Sequence, residues 1–252
     1  MERKTAVITG AAGGIGAAVV KRFVSEGFQI VAGDADAAGL QRLASEPNDG
    51  EKRVHTFRGD LRSKEYCEGL IDHAVKSTGR LDVLVNNAGI ITRGNILETT
   101  DDDWDRTFDI NLKALFFTCR KAIAHMKDNG GGAIVNVSSC WGIYPGPGHP
   151  AYCTSKGAVA MFTRCLGRDH AADGIRVNAV CPNEVNTPMI RTGFLRRGFD
   201  PDTAIAELNK SVPLGRIAEP EDIADVIHFL SSDAARYVAG ATVEVNGAKA
   251  VY

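Results

Sequence analysis

The sequence predicts an α/β fold, a parallel sheet with helices on both faces. Three observations carry this reading. Short apolar, β-branched runs alternate with amphipathic segments along the chain, and parallel strands joined by crossover helices require that alternation. The spacing stays regular and no linker-like composition interrupts it, so residues 1–252 read as one domain. A glycine-rich turn follows the first run, where a strand would hand over to a helix.

In chain order, the strand candidates are Thr5–Thr9, Gln29–Gly33, Val54–Phe57, Asp82–Val85, Ala133–Val137, Arg176–Val180 and Thr242–Val245. Gly16–Glu26 and Lys64–Thr78 are amphipathic and read as helices between them. A long helix is expected from about Asp101 to Lys127, with Trp104, Phe108, Leu112, Leu115, Phe116, Cys119 and Ile123 on its apolar side. Pro220, just inside EPEDIADVIHFL, marks the start of the last long helix. Residues 183–211 are the least regular part, rich in arginine (Arg191, Arg196, Arg197), and read as a lid.

Composition narrows the function classes. With 44% hydrophobic and 24% charged residues the chain is an ordinary globular one, and its net charge of −2 gives no reason to expect nucleic acid or an anionic membrane as partner. No apolar run approaches a membrane span and the N-terminus lacks the design of a signal peptide. The six cysteines lie apart without a C-x-x-C pair, which fits a reducing cytoplasm. The histidines form no H-x-x-x-H pair, so no metal is expected.

The glycine turn, TGAAGGIG, spaces Gly10, Gly14 and Gly16 as G-x-x-x-G-x-G. Glycines there allow a tight turn and close approach of backbone to a pyrophosphate, while the following helix offers its N-terminus to the negative charge. The second strand ends at Asp34, where a carboxylate can accept hydrogen bonds from the adenosine ribose. The same carboxylate repels a 2′-phosphate, and Ala12 and Ala35 add no cation, so NAD is expected over NADP. Tyr152 and Lys156 lie one helical turn apart, a spacing that by itself describes an ordinary surface pair.

Taken together, these segments resemble the short-chain dehydrogenases/reductases. Thr9–Gly16 is similar to the family's TGxxxGIG loop, Asp60-Leu61 to its adenine-contacting pair, and Asn86-Asn87-Ala88-Gly89 to its NNAG. Asn111 falls where the family keeps a helical asparagine, Ser139 with Tyr152 and Lys156 fits S…YxxxK, and Cys181 through Met189 resembles PGxVxTPM. The resemblance implies a doubly wound, seven-stranded Rossmann sheet, NAD(P)-linked interconversion of alcohol and carbonyl, and a homotetramer or, less often, a dimer. It implies cofactor contacts from Gly10, Gly14, Ile15, Gly16, Asp34, Asp60, Leu61, Asn87, Ala88, Gly89, Tyr152, Lys156, Pro182, Val185 and Thr187. It also implies Tyr152 as general acid/base, Lys156 lowering its pKa, Ser139 on the substrate oxygen, and Asn111 supporting a water that links the lysine to solvent. Ser139 stands at the family's interval from Tyr152, and Ser138 is the weaker alternative.

The loop CWGIYPGPGH lines the substrate site in this family, so Trp141, Tyr144 and His149 are candidate substrate contacts. The chain departs from the pattern at Asn183-Glu184, where glycine is usual after the proline. Glu184 and His149 favour a polar, hydroxyl-rich small-molecule substrate such as a sugar or polyol. The competing readings are an anionic substrate clamped by Arg93, Arg191, Arg196 or Arg197, a ketoacyl reductase, and a non-catalytic dinucleotide-binding protein.

Overall fold

The computed structural model describes residues 3–46 and 53–249. The elements run β1 (Thr5–Thr9), α1 (Gly14–Ser25), β2 (Gln29–Asp34), α2 (Ala37–Ser45), β3 (Val54–Arg58), α3 (Lys64–Thr78) and β4 (Val83–Asn86). Then follow α4 (Asp101–Phe108), a π-helical turn (Asp109–Lys113), α5 (Ala114–Asp128), β5 (Gly132–Val137), α6 (Pro150–His170) and β6 (Ile175–Pro182). The chain continues through α7 (Pro188–Arg196), α8 (Pro201–Lys210), α9 (Pro220–Ser231) and β7 (Thr242–Val245). The expected strands agree with these to within a residue or two at their ends. The end of the chain, VEVNGAKAVY, is expected to form the last strand plus a tail reaching a neighbouring subunit, and of that tail Ala250–Tyr252 lie outside the described residues.

All seven strands are parallel, in the order β3-β2-β1-β4-β5-β6-β7. The chain winds outward from β1 to β3, crosses back, and winds outward again from β4. The reversal lies between β1 and β4, where Thr9 pairs with Asn86. Successive strand residues enter opposite layers, as the pleat demands. Ala6 and Ile8 pack with Val19, Phe23, Ile223 and Ile227 of α1 and α9. Val7, Leu84 and Ile134 pack with Leu70, Ile71, Leu115, Cys119 and Val159 of α3, α5 and α6.

Two expectations are corrected. The stretch 101–127 is not one continuous helix: the π turn divides it, and such single turns insert an extra residue that re-aims side chains. On its apolar side, Trp104 and Phe116 are 38% and 41% exposed, whereas Leu115, Cys119 and Ile123 are buried. The lid segment is more regular than its composition implied. It holds α7 and α8, which pack through Phe194, Ile205, Val212 and Ile217. Their start signals, Thr187-Pro188 and Asp200-Pro201, each place proline at the first helical position.

Candidate active site

The candidate residues gather at the carboxyl ends of β1, β2, β4, β5 and β6, beside the reversal of strand order, where open α/β sheets form their crevice. The glycine turn is shaped by contact rather than by flexibility alone. Gly10 has φ +62°, and a Cβ there would meet Ala88 Cα at 2.8 Å. A Cβ on Gly16 would stand 2.0 Å from Gly10 O, and one on Gly14 would stand 2.7 Å from Thr187 Cγ2. Helix α1 opens without a side-chain cap and without an acid in its first turn, leaving N–H groups and the positive end of its dipole for an anion. The turn therefore fits a dinucleotide pyrophosphate, with Thr187 forming the opposite wall.

Asp34 braces this turn as well as facing it. Its Oδ2 accepts from Ala12 N at 2.9 Å and its Oδ1 from Asp36 N at 2.9 Å. Asp36, not Asp34, stands at the N-cap of α2. The carboxylate keeps free lone pairs for ribose hydroxyls. Sequence reasoning missed Arg58, which pairs with Asp34 across β2 and β3 and donates through Nε to Ala35 O at 3.3 Å. A guanidinium thus reaches the backbone of the residue after the acid, where Ala12 and Ala35 had suggested no cation.

Several candidates turn out to be braces. Asn87 Nδ2 donates to Thr9 O and Gly10 O at 3.0 and 2.9 Å, locking the end of β4 to the glycine turn. The Asp60 carboxylate is taken up by Arg62 at 2.6 Å, which holds it below the usual carboxylate range, and Leu61 O accepts from Cys67 Sγ. Val185 is buried in the core and bridges to Ala218, and Ile15 packs against the same cluster. Pro182 closes β6. Behind the site a buried polar network was also missed. Thr118 donates to Asn86, Asn86 to Asn136, and Asn136 to Thr163, at 2.7–2.9 Å. No local pattern announces it, because its members sit on separate elements.

Tyr152 and Lys156 share one face of α6, and Ser139 lies just beyond β5. The two serines separate clearly. Ser138 Oγ donates to Lys156 O at 2.7 Å, a structural tie, while the Ser139 hydroxyl accepts from Trp141 N at 3.1 Å and lies near enough to the Tyr152 phenol to draw its pKa down. Burial outweighs that effect and pushes the phenol above its ordinary value. Lys156 is 4% exposed, and burial pushes its ammonium down to about 8. Its Nζ donates to Val137 O at 2.8 Å and lies 5.9 Å from the Tyr152 ring centre. Lys156 is not among the groups that act on the phenol here. Gly89 completes the arrangement, since a Cβ there would stand 3.1 Å from Lys156 Nζ.

Asn111 is held by the π turn and buried. Its Nδ2 donates to Ile90 O and Ser155 Oγ, both at 3.0 Å, and its Oδ1 accepts from Ile90 N at 2.8 Å. The side chain ties the segment after β4 to α6, with one carbonyl lone pair left over. Trp141 lies 4.7 Å from His149 and 6.3 Å from Tyr152, ring to ring, and forms a wall beside the phenol. His149 Nδ1 donates to Pro147 O at 2.7 Å, which leaves Nε2 as an acceptor. Burial, foremost, lowers its pKa. Tyr144 donates to Glu244 Oε1 at 3.3 Å, away from this wall. Glu184 has a partner of its own. Its carboxylate binds Lys249 Nζ at 2.5 Å in a cavity of about 160 Å3 shared with Asn183, Arg216 and Val245, and it is not among the groups acting on Tyr152.

The model of the short chain dehydrogenase family matches residues 4–196. A 3-oxoacyl-[acyl-carrier-protein] reductase of Thermotoga maritima is 36% identical over 98% of both chains. A meso-2,3-butanediol dehydrogenase of Serratia marcescens is 36% identical over 98% of this chain and 94% of its own. Among solved structures, an actinorhodin polyketide ketoreductase with NADPH superposes with a TM-score of 0.93 at 30% identity, covering 99% of this chain and 98% of that one. No helix among the described residues is long and apolar enough to cross a membrane.

Proposed function

The chain belongs to the short chain dehydrogenase family of oxidoreductases, and from that premise we propose that it is an NAD-linked enzyme interconverting a secondary alcohol and its ketone, with Tyr152 as general acid/base. The observation that carries this is the meeting of Tyr152, Ser139 and Lys156 beside a glycine turn whose neighbours leave no space for a Cβ. When bound, the nicotinamide supplies the acceptor for hydride. The chain's own residues handle the proton. Tyr152 accepts it from the substrate hydroxyl, and the Ser139 hydroxyl stabilises charge on the substrate oxygen. Lys156 holds positive charge one turn away, and Asn111 fixes Ile90 and Ser155 around it.

Asp34 supports NAD as the cofactor, with Arg58 reducing its power to exclude the 2′-phosphate. The polyol reading of the substrate leaned on Glu184, which is committed to Lys249, so His149 Nε2 is the group left to meet a hydroxyl. A second copy of the chain is the expected partner. Trp104 and Phe116 around the π turn, together with Met161 of α6 at 56% exposure, offer an apolar face for a homotetramer or dimer. All six cysteines are free, which suits the cytoplasm. The test is to supply NAD⁺ or NADP⁺ with secondary alcohols, polyols, sugars and hydroxy acids and to follow formation of the reduced cofactor. NAD⁺-dependent turnover is expected. Turnover with NADP⁺ alone would overturn the cofactor assignment, and binding of NAD⁺ without turnover of any member would favour a non-catalytic protein.

A further inference from the structure

Arg93 sits on the segment between β4 and α4, and that segment is fixed on both sides of it. Thr92 is buried with its hydroxyl 2.6 Å from that of Thr107, and Gly94 N donates to Gly148 O at 2.8 Å. Between these anchors the Arg93 side chain reaches across to α7. A Cβ built on Gly193 would stand 2.5 Å from Arg93 Nη2. Gly193 is buried in the middle of α7, where glycine in place of alanine weakens a helix. The helix carries a weak residue at the point where the guanidinium needs room.

That guanidinium has no counter-ion among the described residues, and neither do Arg196 and Arg197. Arg191 differs: Asn186 Oδ1 accepts from it at 3.0 Å and Asp202 pairs with it at 2.8 Å. Arg197 lies over Phe194 at 4.9 Å and donates to Gly193 O at 3.1 Å, so it meets the same stretch of α7 that Arg93 packs on. The charges act on one another and on the pocket. After burial, Arg197 and Arg196 are what hold Arg93 below its ordinary value, and Arg93 and Arg197 both press His149 downward. His149 in turn lies against Trp141, its ring tilted by 41° at 4.7 Å, and Trp141 is the wall beside Tyr152.

We propose that Arg93, backed by Arg197 and Arg196, is the anion-binding end of this pocket, and that the substrate carries a carboxylate or phosphate away from its reacting carbon. The proposal rests on the dehydrogenase reading for the identity of the pocket. Guanidinium groups match carboxylate and phosphate oxygens two at a time, and an anion between them cancels the mutual repulsion of three unpaired cations. The pyrophosphate of the dinucleotide is the other source of the same chemistry.

The experiment uses short-chain secondary hydroxy acids and their methyl esters, with binding followed by calorimetry and turnover by NADH. The acids are expected to bind about ten-fold or more tightly than their esters, a difference of about 1.4 kcal/mol. In Arg93→Gln, and more fully in Arg93→Gln with Arg197→Gln, that ratio falls toward one, and Arg93→Lys keeps part of it. The rise is expected in KM for the acid and not in KM for NAD⁺. Equal binding of acid and ester to the native protein overturns the proposal, as does a ratio that survives both substitutions. A rise confined to KM for NAD⁺ assigns the arginines to the pyrophosphate and also overturns it. Acid binding that is lost in the variants, with no NADH formed from any compound, overturns the dehydrogenase reading and leaves the anion clamp standing.

Discussion

Lys156 keeps its ammonium in the interior, where it donates to the Val137 carbonyl, and burial pushes it down to about 8. An unfolded lysine titrates near 10.4, so between about pH 8 and 10.4 the unfolded chain holds more protons than the folded one. Stability from this group therefore rises with pH through that window, and below it the full desolvation cost remains. Lys156→Met removes the titration. Its Tm relative to the native protein should decline as pH is raised from about 7 to 10, and a gap independent of pH would contradict the buried-ammonium account. Asp34→Ser should reduce the preference for NAD over NADP at least roughly ten-fold, measured as the ratio of kcat/KM values, and an unchanged ratio would remove Asp34 from cofactor choice. The glycine turn, Asp34 and the Tyr152–Lys156 spacing were legible in the sequence because each rests on local geometry. Arg58 and Lys249 were not, because Arg58 comes next to Asp34 only through the register of β2 on β3 and Lys249 meets Glu184 only through a contact across 65 positions.

At the scale of elements, the strands and most helices follow from periodicity, but the π turn does not. A one-residue insertion leaves the apolar spacing of 101–128 close to helical, so the pattern reads as continuous. What marks the turn is Asn111, whose partners Ile90 and Ser155 lie on other segments. The same pattern could not tell a side buried in the core from one left for a partner, and so Trp104 and Phe116 were grouped with Leu115 and Cys119. Phe116→Asp places a charge on that exposed face. It should shift the protein toward smaller assemblies in sedimentation velocity with little loss of monomer stability, whereas an unchanged size distribution would move the interface elsewhere. The two helices of the lid were hidden by their polar, arginine-rich surface, although both proline starts were present.

For the molecule as a whole, the reversal of strand order between β1 and β4 decides where everything converges. Residues as distant as Gly10, Asp34, Gly89, Ser139 and Thr187 reach one crevice because their strands end on the same side of one parallel sheet. The sequence conveyed the sheet and that crevice, but not the charge at its mouth, which depends on how α7 lies against Arg93. The central claim is that Tyr152 moves the proton in an NAD⁺-linked oxidation. The direct measurement is kcat of Tyr152→Phe with NAD⁺ and a substrate of the native protein, beside its affinity for NAD⁺. We predict a loss of about 10²–10⁴-fold in kcat with NAD⁺ affinity retained; a variant that turns over at the native rate would contradict the account.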